Sequence, residues 1–346
     1  MTQPTTRQRE SSLPLKPSRT GTLTGVQILG VGAAVPDNVV ANEDLADLGC
    51  DTEWIIQRTG MRERRHALPD QSTGDLAVEA ARRCIAQAGV DPADIDLVLL
   101  GTYTPDMTMP ATAGYVQDRL GLQALAFDMQ AACASFVFAL LSGMQYVATG
   151  CSKLALVIGA DCASRAANPK DVKTYPLFGD GAGAVLLGRG DDSQGLLAFA
   201  VGSDGSGAPL LCRPMGGAKM PYSNKPEDFD KQFVYMEGRP IFKWAVRMLH
   251  QTVHEVLDTA GLPLEAIDLV ILHQANQRII DAAMKNLGIP PEKVFSNLDR
   301  YGNTSSASIP LALAEAYEAG LVKPGTRVLM SGFGGGLAWG TMLFQW

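Results

Sequence analysis

The sequence predicts an α/β fold built from two duplicated halves, and three observations carry that expectation. Short runs of β-branched and apolar residues alternate with amphipathic stretches of helical period. Most of those helical stretches end at Gly, the residue helix C-caps prefer. The segments AGVDPADIDLVLLGT (88–102) and AGLPLEAIDLVILHQ (260–274) align without a gap, and Ile-Asp-Leu-Val recurs in both. Chance likeness of two ordinary helix–turn–strand units competes with this reading. The likeness continues, however: each copy leads on to a helix start and then to another strand, as a duplicated unit requires.

In chain order, residues 1–22 are polar, rich in Pro, Ser and Thr, and lack the apolar stretch of a secretory signal. They are expected to form a disordered arm; with Glu10 the one acid among four basic residues, an organelle transit peptide is the alternative. Residues 23–195 and 196–346 are then the two halves. Strands are expected at 26–32, 96–104, 154–160, 182–188, 268–274 and 327–333. Helices are expected at 73–89, 133–149, 240–261, 277–288 and 308–320.

Composition narrows the function. The 346 residues, 46% of them hydrophobic, can bury a large core. A net charge of −7 argues against a dedicated nucleic-acid binder but leaves room for a local basic patch. No apolar run reads as long enough to cross a membrane. Six cysteines (50, 84, 133, 151, 162, 212) without CxxC spacing, beside only four histidines, suggest a reduced, cytoplasmic chain with no zinc site.

The chemistry-bearing residues come from four stretches. In DMQAACASFVFALL (128–141), Cys133 falls where an extended segment turns into a long apolar helix. A sulfur in a first helical turn meets unpaired N–H groups and the positive end of the helix dipole, which favours thiolate. The plainer reading is a small buried hydrophobe. His273, in ILHQANQRII, ends a buried strand, where a core histidine satisfied by backbone is equally natural. Asn303, in YGNTSSAS, has an ordinary helix-cap reading. Equivalent connections in the two halves would bring all three residues to related sheet edges, where α/β folds place ligands. A nucleophile, an imidazole and a neutral amide donor together suit acyl transfer.

In SGFGGGLAWG (331–340), glycines after a strand allow a close backbone approach and an N–H aimed at a developing oxyanion. A phosphate cradle fails there, because no Lys-Ser/Thr follows and no helix opens. LFGDGAGAVLLG (177–188) reads as a glycine-kinked turn feeding a buried strand.

DMQAACASF, FGDGAGA, ILHQANQRII, YGNTSSASIP and GFGGGLAWG together resemble the β-ketoacyl-acyl carrier protein synthase III enzymes of the thiolase superfamily, from about Gly25 to Trp346. Asn303 stands where elongating ketosynthases carry a second histidine. The resemblance implies a thiolase-like αβαβα five-layered fold, a homodimer, and decarboxylative condensation of an acyl-CoA primer with malonyl-acyl carrier protein, without metal or redox cofactor. It implies Cys133, His273 and Asn303 as catalytic residues, with the N–H groups of Cys133 and Gly335 as the oxyanion hole. Trp54, Arg58, Arg165 and Asn276 would bind CoA; for Trp54 a core anchor is the other reading. Arg278, with Lys243, Arg247 and Lys285, would receive the acidic carrier protein. Met109 and Phe333 would line the acyl channel.

Departures from the family pattern lie at Met109, where members carry a bulky aromatic at the dimer interface, at Asn286, which replaces a basic residue, and in the long 205–233 loop, expected to be irregular and either a lid or mobile. Three other functions compete. An acyltransferase of the same type could pass the acyl group to a hydroxyl or amine; a non-catalytic chain-length-factor partner would lack Cys133; a Cys/His/Asn amidase would leave the duplication and GFGGG unexplained.

Overall fold

The computed structural model describes residues 13–346. Two mixed sheets repeat one strand order. The first sets β2 (Val26–Ala34), β8 (Asp180–Arg189), β7 (Ala155–Cys162), β5 (Leu97–Gly101) and β6 (Leu125–Met129) side by side. The second sets β9 (Gly195–Ser203), β15 (Ala338–Gln345), β14 (Arg327–Gly334), β12 (Leu269–Leu272) and β13 (Val294–Phe295) in the matching positions. Directions match too, antiparallel among the first three strands of each sheet and parallel among the last three. The gapless repeat in the sequence ends on β5 and β12, the same position in each sheet.

Five layers result. α4 (Ser135–Thr149) and α8 (Ser308–Glu318) lie between the sheets and share one core with both. α2 (Thr73–Ala88) packs on the outer face of the first sheet, and α5 (Gly238–Ala260) and α6 (Gln277–Leu287) on the outer face of the second. α1 (Thr52–Thr59), α3 (Thr112–Arg119), α7 (Leu298–Tyr301) and the ribbons β3–β4 (Val39–Ala41, Glu63–Arg65) and β10–β11 (Leu211–Cys212, Tyr235–Met236) complete the chain.

Two expectations need correction. Residues 1–12 of the expected disordered arm lie outside the described residues, but 13–22 are ordered. β1 (Arg19–Thr24) adds an edge strand antiparallel to β9, Leu13 and Leu15 pack on the outer core, and Trp339 Nε1 donates to Ser18 Oγ (3.0 Å). Thr20, Thr22 and Thr24 alternate with part-buried Gly21 and Leu23, a period-two strand pattern that a Pro/Ser/Thr-rich composition conceals. Second, residues 132–149 do reach a length and mean hydropathy (1.4) compatible with a membrane span. Packing between the two sheets accounts for that composition, because most of α4 faces the shared core and only a narrow stripe through Gln145 and Thr149 is exposed.

Candidate active site

A cavity of about 1000 Å³ opens between the halves, and Cys133, His273, Asn303, Phe333 and Gly335 all line it. Cys133 precedes α4 by two residues instead of occupying its first turn. Ala132, just before it, has φ 49°, one of two non-glycine residues with positive φ among the described residues; the other is Ser305 (φ 53°). Such conformations cost energy and persist where the surroundings impose them. Here they bring the two segments together: Ser305 Oγ donates to Cys133 Sγ at 3.3 Å. Burial pushes the thiol up to about 12, with the Ser305 hydrogen bond the leading opposing influence. The expected thiolate is therefore replaced by a resting thiol, because desolvation outweighs a helix end two residues away.

His273 follows β12 and is buried. Its Nδ1 shares a 2.7 Å hydrogen bond with Ser308 Oγ, at the start of α8, instead of being satisfied by backbone. Burial pushes the imidazole down to about 3, so it is neutral. Phe333 meets the ring edge-on, centroids 5.2 Å apart. Asn303 Oδ1 accepts from the Ser305 N–H (2.9 Å), the cap-like bond its sequence suggested, and its Nδ2 has no hydrogen-bond partner among the described residues.

Glycines and one carboxylate hold this arrangement. A Cβ at Gly334 would lie 2.6 Å from Cys133 N, and one at Gly179 would lie 2.1 Å from the Tyr301 carbonyl oxygen. The FGDGAGA motif and the Leu177 before it thus support the asparagine directly, since Asn303 N donates to Leu177 O (2.8 Å) and Gly179 N to Asn303 O (3.1 Å). Asp161, fully buried, accepts from Thr102, Tyr103 and Thr104 through Oδ1 and from the Ser306 N–H and hydroxyl through Oδ2. It ties the end of β5 to the loop carrying Asn303 and Ser305. An acid inside the apolar run LALVIGADCA was its sequence signal. Nothing in the sequence singled out Ser305 or Ser308 from their serine-rich neighbourhood.

The binding candidates divide. Arg165 and Asn276 line the cavity. Arg165 Nη2 also donates to Leu68 O (2.7 Å) and Gln71 O (2.6 Å), so it holds a turn as well. Asn276 caps α6 and donates to Arg58 O (3.1 Å), linking the cavity wall to α1. Trp54 is 38% exposed with the Arg58 guanidinium 5.7 Å from its ring centroid, so it is no core anchor; neither residue lines the cavity itself. Arg278 is exposed, its guanidinium 5.9 Å from the ring centroid of Phe242, which does line the cavity, and Lys243 and Lys285 are exposed. Arg247 departs from the expected docking patch: it is part-buried and Nη2 donates to the Leu13 carbonyl, so its guanidinium anchors the N-terminal segment. Met109 is 84% exposed and does not line its own chain's cavity, whereas Met107 does. The 205–233 loop contains two 3-10 helices, Gly205–Leu210 and Pro226–Gln232, and contributes Leu211, Met215 and Tyr222 to the cavity lining.

Two duplicated halves around a shared cavity bearing Cys, His and Asn define a condensing enzyme of the thiolase fold. The family model described as 3-Oxoacyl-[acyl-carrier-protein (ACP)] synthase III matches residues 127–205, and its C-terminal counterpart matches 257–346. The chain belongs to the 3-oxoacyl-[acyl-carrier-protein] synthase III family, whose members are acyl-transferring condensing enzymes. It is 52% identical over 344 residues to a beta-ketoacyl-[acyl-carrier-protein] synthase III of Rhodopirellula baltica, covering 94% of this chain and 100% of that one. A synthase III of Symbiobacterium thermophilum is 47% identical over 93% of this chain and 98% of its own. The crystal structure of 3-oxoacyl-[acyl-carrier-protein] synthase III from Aquifex aeolicus superposes with a TM-score of 0.86 at 41% identity, covering 93% of this chain and 100% of that one.

Proposed function

We propose that the cavity joins an acyl-CoA primer to malonyl-acyl carrier protein through an acyl-Cys133 intermediate, the step that initiates fatty-acid synthesis. The observation that carries this reading is the placement of Cys133, His273 and Asn303 on one cavity, with Ser305 bonded to both the thiol and the asparagine.

In the first half-reaction Cys133 Sγ attacks the primer thioester, its proton passing to His273 Nε2 as the S–C bond forms, and CoA leaves as the thiol with that proton. The backbone N–H groups of Cys133 and Gly335 hold the tetrahedral oxyanion. In the second, malonyl loses CO₂ and its electron pair enters an enolate, stabilised by His273 Nε2–H and Asn303 Nδ2. The enolate carbon attacks the acyl carbonyl, the C–S bond breaks, and the Cys133 thiolate takes up a proton from solvent, the one proton the overall reaction consumes. Ser308 fits both roles of His273, because a hydroxyl can accept from Nδ1–H or donate to Nδ1, leaving Nε2 as base or as donor. The scheme uses no metal or redox cofactor.

Trp54, Arg58, Arg165 and Asn276 would receive the CoA end, and Arg278, Lys243 and Lys285 the carrier protein. A homodimer would form along β6, an edge strand that begins at exposed Leu125, with exposed Tyr115 and Met109 elsewhere in the same half. Six unpaired cysteines suit the reducing cytoplasm, where we place the reaction. Mass spectrometry of the intact protein after exposure to acyl-CoAs tests the core of this reading: an adduct that disappears in Cys133→Ala supports it, and one on another cysteine refutes it.

A further inference from the structure

Tyr103 stands just past β5, where its N–H donates to Asp161 Oδ1 (2.9 Å). Its side chain belongs to the apolar cluster of Leu177, Phe178, Val234 and Met236, and all five residues line the cavity that holds Cys133. Its hydroxyl oxygen is buried and makes no hydrogen bond. Burial first, and then the negative charge of Asp161, push the phenol well above the ordinary tyrosine range, so the oxygen keeps its proton and remains a donor. A buried donor without a partner is destabilising, and phenylalanine would fill nearly the same space without that penalty. The neighbouring cavity-lining side chains of Leu177, Phe178, Val234 and Met236 offer no strong acceptor. The acceptor for the Tyr103 hydroxyl must then come from what fills the cavity, water in the free enzyme and a substrate oxygen in the loaded one. Within the acyl-Cys133 scheme the thioester carbonyl is already held by the backbone N–H groups of Cys133 and Gly335, which leaves an oxygen further along the acyl chain or the malonyl carboxylate.

We propose that Tyr103 is a specificity-determining residue: its hydroxyl donates to an oxygen carried on the primer's acyl chain, so that the cavity selects an oxygenated primer over the apolar one of the same shape. The inference rests on Cys133 as the acylated residue.

The test compares primers differing by hydroxyl for methyl, 3-hydroxybutyryl-CoA with 3-methylbutyryl-CoA and 4-hydroxybutyryl-CoA with pentanoyl-CoA. Rates of Cys133 acylation are read by mass spectrometry of the intact enzyme. In at least one pair the wild-type enzyme should take the hydroxylated member about tenfold faster, a difference of ~1.4 kcal/mol, and Tyr103→Phe should reduce that ratio about tenfold. Ratios near one in both pairs for the wild type would overturn the proposal without reference to any variant. The same ratio in wild type and Tyr103→Phe would also overturn it. A Tyr103→Phe enzyme with unaltered ratios but decarboxylation slowed equally for every primer would assign the hydroxyl to the malonyl carboxylate instead. Absence of any adduct on Cys133 would sink the acyl-cysteine reading and this inference with it.

Discussion

The Ser305 hydroxyl donates a 3.3 Å hydrogen bond to Cys133 Sγ, joining a residue just ahead of α8 to the one just ahead of α4 across the two halves of the molecule. A donor aimed at sulfur favours the thiolate that forms during attack. Ser305→Ala should slow acylation by a few-fold to about tenfold, the kinetic equivalent of one hydrogen bond worth ~0.5–1.5 kcal/mol. Single-turnover acylation measures it, and an unchanged rate would remove Ser305 from the mechanism.

The resting thiol has a pH signature. With the Cys133 thiol near 12 against 9.0 for the unperturbed group, the folded chain keeps a proton that the unfolded chain releases. Alkylation of Cys133 by iodoacetamide should be slow at pH 8 and still rising past pH 10. The contribution of this group to stability is fully present below pH 9 and falls as pH rises toward 12. A plateau in the alkylation rate between pH 6 and 8 would show an activated thiolate instead.

His273 and Asn303 should separate the half-reactions. Asn303→Ala removes an enolate donor alone, so acyl-enzyme should accumulate while condensation falls by on the order of 10²–10³. His273→Ala removes both base and donor and should slow both steps. Ser308→Ala should broaden the effect of pH on condensation without abolishing acylation, since Nδ1 loses its partner (2.7 Å). Rapid-quench assays of each half-reaction decide this; equal loss of both steps in Asn303→Ala contradicts the assigned role.

The two thioester donors should respond to different surfaces. Trp54 is exposed beside Arg58, so Trp54→Ala should weaken acyl-CoA use about tenfold, the loss of one base–aromatic stack worth ~1–3 kcal/mol. Malonyl-carrier protein use should change little. Arg278→Glu should show the reverse and flatten the salt dependence, because exposed charges are screened over ~10 Å at 0.1 M salt. Initial rates with each substrate varied separately are the measurement; equal impairment of both donors by Trp54→Ala would place the CoA site elsewhere.

Gly179→Ala tests the support beneath Asn303. The added Cβ would lie 2.1 Å from the Tyr301 carbonyl oxygen, a contact that only movement of the 301–303 backbone can relieve. Condensation should fall at least as far as in Asn303→Ala, with a lowered melting temperature. A variant with wild-type melting and activity would contradict the close approach.

The sequence by itself determined the duplicated α/β plan, because hydrophobic period and Gly caps are local, and because the 88–102 and 260–274 repeat ends on equivalent strands, β5 and β12. It also determined the residue types of the site, since Cys133, His273 and Asn303 each sit where an element begins or ends. Several features were decided only by the tertiary structure. β1 emerged from residues read as disordered because its strand exists by pairing with β9, some 170 residues away along the chain. The Cys133 thiol is held high by burial between two halves, a desolvation that no local helix-end argument contains. Arg247 left the surface patch to meet Leu13, and Ser305, Ser308 and Tyr103 acquired their places through partners, or the lack of one, distant in sequence. Charge, burial and hydrogen-bond satisfaction depend on what surrounds a side chain, and in this protein those surroundings come from segments distant in sequence, across the halves for Cys133 and Ser305 and within one half for His273 and Ser308.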